Sequence, residues 1–315
     1  MLLAFSFPVE AQQAGKVYRI GYLSVRAPDR EKPLLAAFHQ GLRELGYVEG
    51  KNIVIEYRWA ERRRERLPAL TAELLRHKLE LVVTGGGAAA RAVQRASKTI
   101  PIVMAEATAP VARGLVQSFA RPGGNTTGLS YIPPELFGKW LELLKEIVPN
   151  LSRVAVLWSP KGPASVLGWN SIQLPAKQLE VQLHSMEVRS PNDFDKAFED
   201  AARAHAEALV VMPNSRIGVK RKRLANLVAK SRLPAISQSG GFVRRGGLMS
   251  YGARMSDLYR RAATFVDKIL KGTKPADLPV EQPRKFDFVV NLKAAKRLGI
   301  TISPGVLLRA TKVIK

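Results

Sequence analysis

A run of small residues, Thr84-Gly85-Gly86-Gly87-Ala88, stands where an apolar, strand-like segment gives way to a helical one. Backbone N–H groups in such a turn, with the positive end of the helix dipole behind them, can hold a carboxylate or another anion. The same glycines would also serve simply to make a tight strand-to-helix turn, and the residues leave both readings open. No GK[ST] follows and the dinucleotide fingerprint is incomplete, so nucleotide phosphates are not the expected cargo. Elsewhere, polar side chains recur at the ends of apolar runs: Ser24, Glu106 with Thr108, Ser130 with Tyr131, Ser159, Asn214, Gln238 and Tyr251. Hydroxyl and amide groups of this kind suit a neutral or zwitterionic solute. Glu106 would receive an ammonium group, and Tyr131, Trp158 or Tyr251 could back an aromatic or aliphatic tail. Each could equally be a cap or a packed core residue, Trp158 above all, because it lies inside an apolar run.

Catalytic chemistry has few candidates. The four histidines, His39, His77, His184 and His205, are scattered over helical segments or a strand flank, and neither HExxH nor GxSxG occurs. Cysteine is absent, which removes thiol nucleophiles, thiolate metal sites, disulfides and lipid attachment at an N-terminal cysteine. A non-enzymatic protein without cofactor or metal is therefore expected.

The elements that must position these residues alternate. Short β-rich runs at 18–23, 53–57, 79–83 and 100–104 are separated by segments of helical period, such as Leu34, Leu35, Phe38, Leu42 and Leu45 closed by Gly46. This is the pattern of a parallel sheet covered on both faces. A second series follows at 154–158, 182–188, 208–212 and 234–237. With 315 residues, of which 46% are hydrophobic, two such lobes are expected. The reading places residues 17–125 and 247–274 in the first lobe and 126–246 and 275–315 in the second. The run 126–131 thus opens the second lobe, 248–251 returns to the first, and the Pro-rich stretch 274–283 is the third crossing. Three crossings restrict two lobes to a hinge, and ligands in open α/β sheets bind beyond the carboxyl ends of the strands.

Lys and Arg total 50 against 26 acidic residues, a formal charge of +24. The densest runs, Arg62-Arg63-Arg64 with Arg66 and Lys220-Arg221-Lys222-Arg223, carry no helix-turn-helix, zinc-finger or aromatic–basic RNA pattern, so solvated helix surface rather than nucleic acid is expected. The excess would still raise the encounter rate of anionic solutes. Residues 1–11, MLLAFSFPVEA, read as the end of a secretory signal, with small residues Val9 and Ala11 before polar Gln12-Gln13. No basic residue precedes the apolar stretch. No later window has the length of uninterrupted apolar sequence that a membrane span needs, so export to the periplasm without membrane insertion is expected.

The chain also carries YRIGYLS, FHQGLRELGYVEGKNIVIEYRWA, KTIPIV, ARPGGNTTGLS, LLKEIVPNLSRVAVLW, GGLMSYG and AATFVDKILKGTKPADLPVEQPRKFDFVVNLKAAKRLGI. These motifs span nearly all of the sequence after the N-terminal segment. Through them it resembles the ABC-transporter substrate-binding proteins, the family that includes binders of tryptophan and other aromatic amino acids. The resemblance implies the type I periplasmic-binding fold: two doubly wound open-sheet lobes, a small-molecule solute in the cleft between them, and delivery to the membrane permease of an ABC importer without chemical change. By motif, the family's ligand residues fall on Ser24, Thr84 to Ala88, Glu106 to Ala109, Ser130, Ser159 and Asn214. Three positions depart from the family pattern. Gly87-Ala88 replaces a Thr-Pro, Ala109-Pro110 replaces an Asp-Pro, and Ser159-Pro160 replaces an Asn-Pro. Loss of the aspartate removes an obvious partner for an amino group, so the resemblance implies the fold more firmly than the ligand. A sensing module of the same fold uncoupled from transport, and a hydrolase on the same scaffold, are the competing readings.

Overall fold

The β-branched and apolar runs fold as strands and the helical-period segments cover them in a computed structural model, which describes residues 16–213 and 221–315. Twelve strands and eleven helices are present among those residues. The first half contains β1 (Tyr18–Ser24), α1 (Pro28–Glu44), β2 (Ile53–Trp59), α2 (Leu67–Leu75), β3 (Leu81–Gly85), α3 (Gly87–Ala96), β4 (Ile102–Ala107), β5 (Thr126–Ser130) and α4 (Glu135–Ile147). There follow β6 (Arg153–Trp158), α5 (Pro163–Gln178), β7 (Gln182–Glu187), α6 (Phe194–Arg203), β8 (Ala208–Val211), α7 (Arg221–Ser231), β9 (Ala235–Ser237) and α8 (Gly240–Val243). The chain ends with β10 (Met249–Ala253), α9 (Met255–Leu270), β11 (Phe286–Asn291), α10 (Leu292–Leu298), α11 (Pro304–Arg309) and β12 (Lys312–Ile314).

Two sheets form. The first runs β2-β1-β3-β4-β5 and is parallel throughout; the second runs β12-β11-β10-β9-β8-β6-β7, with only the β10–β11 pair antiparallel. Each is buried on both faces, as parallel sheets must be. In the first lobe Phe38 and Leu42 of α1 and Tyr259, Phe265 and Val266 of α9 cover one face, while Leu70, Leu74 and Val93 of α2 and α3 cover the other. In the second, Trp140 and Leu144 of α4 and Ile172 of α5 cover one face, and Phe194, Phe198 and Val228 of α6 and α7 the other. Helices α1 and α9 pack so closely that a Cβ on Gly41 would lie 2.4 Å from the Arg260 carbonyl oxygen, which explains the glycine within α1.

Two strands sit in the other sheet from the one the sequence suggested. β5 pairs with β4 in the first lobe, and its outer edge receives residues 278–281, through Thr127 Oγ1 to Leu278 O and Ser130 N to Glu281 O. β10 pairs with β9 and β11 in the second lobe, and only α9 after it returns to the first. The first two crossings therefore come at Tyr131–Pro134 and around Arg254, each one strand later than expected. β5 is buried throughout despite Thr126, Thr127 and Ser130, and β10 is buried at three of its five positions, so composition alone does not distinguish the sheets. Long-range partners decide: residues 278–281 for β5, and Ile236 with Val289 and Val290 for β10. The third crossing follows Glu281 and leads into β11.

Candidate functional site

The carboxyl ends of the two sheets face one another across a cavity of about 900 Å3. Its first-lobe wall comes from the β1–α1 loop (Arg26), the start of α1 (Pro33, Leu34), the end of β4 (Glu106) and the first crossing (Tyr131). The second-lobe wall comes from the ends of β8 and β9 (Met212, Gln238), the α8 region (Phe242, Arg244, Arg245), and Arg254, Asp287 and Lys312.

A bulge aims Glu106. Along β4, Met104 faces Thr84 while Glu106 faces Gly85, and on the other side Met104 pairs with Gly128 but Ala107 with Ser130. The extra residue re-orients the strand end, as bulges beside binding sites do. Glu106 is 3% exposed. Its Oε1 accepts from Arg26 Nη2 in an ion pair, while its Oε2 is buried without a hydrogen-bond partner among the described residues. Arg26 is held in turn by Glu31, a fully buried residue in the first turn of α1. Glu31 Oε1 accepts from Arg26 Nη1 at 3.2 Å and from Ser24 Oγ at 2.7 Å, and its Oε2 accepts from Trp59 Nε1 at 3.2 Å. The Tyr259 hydroxyl also lies 3.2 Å from Arg26 Nη1. Gly85 makes room for this cluster, since a Cβ there would meet Glu31 Oε1 at 2.6 Å. One guanidinium thus faces two carboxylates. Glu106 is the main reason that Arg26 holds its proton well above the ordinary guanidinium range, against the opposing effect of burial.

Tyr131 has its hydroxyl pushed up to about 12, first by burial and then by the Glu106 carboxylate, with Arg26 and the Gln238 amide working in the opposite direction. Its backbone N–H donates to Ala107 O at 3.1 Å, which fixes the crossing beside Glu106. Four buried side-chain polar atoms lack a hydrogen-bond partner among the described residues: Glu106 Oε2, Ser130 Oγ, Gln238 Oε1 and His184 Nε2. The first three belong to residues at strand ends around the lobe junction. An unpaired buried acceptor of this kind costs about 1–3 kcal/mol, so at Glu106 and Gln238, which line the cavity, a donor from a bound molecule would be stabilising.

Of the residues singled out in the sequence, Glu106, Tyr131 and Gln238 line the cavity, and Ser130 adjoins Tyr131 with its hydroxyl unpaired. The others lie elsewhere. Ser24 is buried behind Arg26, donating to Glu31 and accepting the Arg26 N–H at 3.0 Å. Thr84 is buried in the sheet and donates to Val103 O. Gly86 takes a φ of +113° at the turn into α3 and lies close to Glu106, where a Cβ would sit 3.9 Å from Oε1. Gly87 and Ala88 open α3 away from the cavity lining, with the Arg113 side chain against Gly87. Thr108 accepts from Arg113 through its carbonyl and its hydroxyl. The backbone N–H of Ser159 donates to Ser165 Oγ at 2.8 Å beside α5. Tyr251 stacks on Phe286 at 5.3 Å within the second lobe, and Trp158 stacks on Trp169 at 5.2 Å on that lobe's α5 side. Asn214 lies outside the described residues.

Sequence reasoning missed Arg26, Pro33, Leu34, Phe242 and the cationic group Arg244, Arg245 and Lys312. Only Arg26 left a signal, standing two residues past Ser24 in the same strand-end loop. No histidine lines the cavity, and no cluster of metal-ligating side chains occurs among the described residues. No helix among them is long and apolar enough to cross a membrane.

Residues 29–314 match the family described as ABC transporter substrate binding protein. A tyrosine-binding protein of Clostridioides difficile is 25% identical over 264 residues, covering 84% of this chain and 75% of that protein. A Streptococcus pneumonia ABC domain, solved in complex with L-Trp, superposes with a TM-score of 0.83 at 27% identity, over 95% of this chain and 100% of that one. A periplasmic binding protein type 1 from Bordetella pertussis shares the fold, with a TM-score of 0.57 at 14% identity over 84% and 80% of the two chains. The fold is thus the type I periplasmic-binding architecture, and the chain belongs to the ABC transporter substrate-binding protein family.

Proposed function

We propose that this chain is the extracytoplasmic receptor of an ABC importer, and that its two lobes close on a small solute carrying an amino group. The observation that carries the reading is the trio of unpaired atoms at the lobe junction. Glu106 Oε2 and Gln238 Oε1 are acceptors on residues that line the cavity from opposite lobes, suited to the N–H bonds of an ammonium group, and the Ser130 hydroxyl is buried next to Tyr131. The resemblance expects an aspartate where this chain has Ala109, and Glu106, three residues earlier on β4, supplies a carboxylate to the cleft instead. One guanidinium against two carboxylates leaves this corner net acidic, which favours a cation. Beside it Pro33, Leu34, Leu224 and Phe242 offer an apolar wall for the rest of the solute. The tyrosine-binding relative and the L-Trp complex support an amino acid or a close analogue.

Delivery to a permease follows from the family, and export from the apolar segment at residues 1–11. Two measurements test the receptor reading together: thermal unfolding against a library of amino acids, amines and carboxylic acids, and small-angle scattering with the best hit. A ligand at 100 times its dissociation constant stabilises by about 2.7 kcal/mol, and domain closure shrinks the radius of gyration. A hit that leaves the radius of gyration unchanged refutes the closing clamp. Stabilisation only by solutes without an amine refutes the assignment of Glu106.

A further inference from the structure

The opposite wall of the cavity carries the reverse charge. Arg244 and Arg245 follow α8, and both guanidiniums turn back over the same glycine: a Cβ on Gly241 would lie 3.2 Å from Arg245 Nη1 and 3.7 Å from Arg244 Nη2. Lys312, at the start of β12, lines the same cavity. None of the three has an acidic partner among the described residues. Arg245 donates only to the Gly241 carbonyl, and the nearby Asp287 is engaged by Arg254 Nε at 2.8 Å. A chain of this net charge has many solvated cations, but two guanidiniums converging on one point in a concave site repel each other unless an anion lies between them. Ser239 Oγ stands at the same point, 3.2 Å from where that Cβ would lie, so a hydroxyl joins the two guanidiniums there.

We infer that the second lobe holds an anionic group, carboxylate or phosphate, of the solute between Arg244, Arg245 and Lys312, on the end remote from the amine. The amine end of this inference rests on the reading given under Proposed function. A cavity of about 900 Å3 lies near the top of the range of about 300–1,000 Å3 that holds drug-sized ligands. The solute class is therefore an extended zwitterion: an amine in the first lobe, an apolar middle against Leu34 and Phe242, and a distal acid in the second. Each lobe would then contribute one charged contact, and only the closed form makes both.

The test compares three probes by titration calorimetry on the full chain: L-phenylalanine, 4-carboxy-L-phenylalanine and terephthalate. Arg244 and Arg245 are exposed, so Arg244→Gln/Arg245→Gln should fold, and Arg244→Lys/Arg245→Lys retains the charge. The inference predicts that 4-carboxy-L-phenylalanine binds at least tenfold more tightly than L-phenylalanine. That preference should vanish in the glutamine variant, survive in part in the lysine variant, and shrink at about 0.5 M salt, where screening is short-ranged. Equal affinities for the two amino acids, or a preference that persists in the glutamine variant, overturns it and leaves the amine reading standing. Terephthalate binding that is lost in the glutamine variant, with neither amino acid binding, supports the distal anion site and sinks the amine reading. No binding of any probe overturns both.

Discussion

Replacing Arg26 by methionine keeps an apolar stem of similar length and deletes the cation between Glu31 and Glu106. The two carboxylates do not suffer equally. Glu31 keeps Ser24 Oγ, Trp59 Nε1 and the Tyr259 hydroxyl at 3.4 Å, whereas Glu106, at 3% exposure, loses its one side-chain partner among the described residues. Breaking a buried ion pair by removing one member costs about 3–5 kcal/mol. The Arg26 side chain is 36% exposed, so solvent screens part of the interaction and a cost reduced below that range, to about 2–3 kcal/mol, is expected. Adding Glu106→Gln removes the stranded charge, and the double variant should recover at least about 1.5 kcal/mol of the sum of the single effects. Urea unfolding of the four proteins in a double-mutant cycle measures this coupling. A cost below about 0.5 kcal/mol for Arg26→Met, or additivity of the two changes, would show that the Arg26–Glu106 pair does not organise the cleft.

Other consequences follow from the same geometry. Gly41→Ala drives a methyl into the Arg260 carbonyl and should cost about 1–3 kcal/mol by denaturant unfolding; a neutral result would mean that α1 and α9 can separate freely. Tyr131 binds its proton more tightly folded than unfolded, its hydroxyl being pushed up to about 12. Its contribution is therefore complete below pH 10, the unfolded value, and is lost as pH rises through 10 to 12. Tyr131→Phe should flatten that part of the stability–pH curve, by about 3 kcal/mol at most, and an unchanged slope would contradict the burial of the phenol. Trp140→Phe leaves the Tyr251 carbonyl without its 2.7 Å indole donor and should destabilise by about 1–3 kcal/mol. Preserved stability there would mean that another donor reaches the carbonyl.

The alternation of apolar runs with helical-period segments revealed two lobes, because each element's burial is written in its own residues. Sheet membership of β5 and β10 was not written there. Thr126–Ser130 and Met249–Ala253 are both largely buried, and their partners come from residues up to about 150 positions away, as in the Thr127–Leu278 bond. In the site, position at a strand end found Glu106, Tyr131 and Gln238. The same local signal marked Ser24, Thr84 and Ser159, whose groups turn to internal partners that no spacing discloses. Arg244, Arg245 and Lys312 were invisible for a different reason: among 50 cations, charge alone marks nothing until the fold gathers three of them on one wall.

The most direct test of the account is calorimetric titration with L-tyrosine and with 3-(4-hydroxyphenyl)propionate, which differs only by the missing amine, against the wild type and Glu106→Gln. The account predicts that the wild type prefers L-tyrosine by at least tenfold and that Glu106→Gln, with its fold intact by circular dichroism, loses most of that preference. Equal binding of the two compounds by the wild type, or a preference untouched by Glu106→Gln, would contradict the assignment of the unpaired carboxylate oxygen to a solute amine.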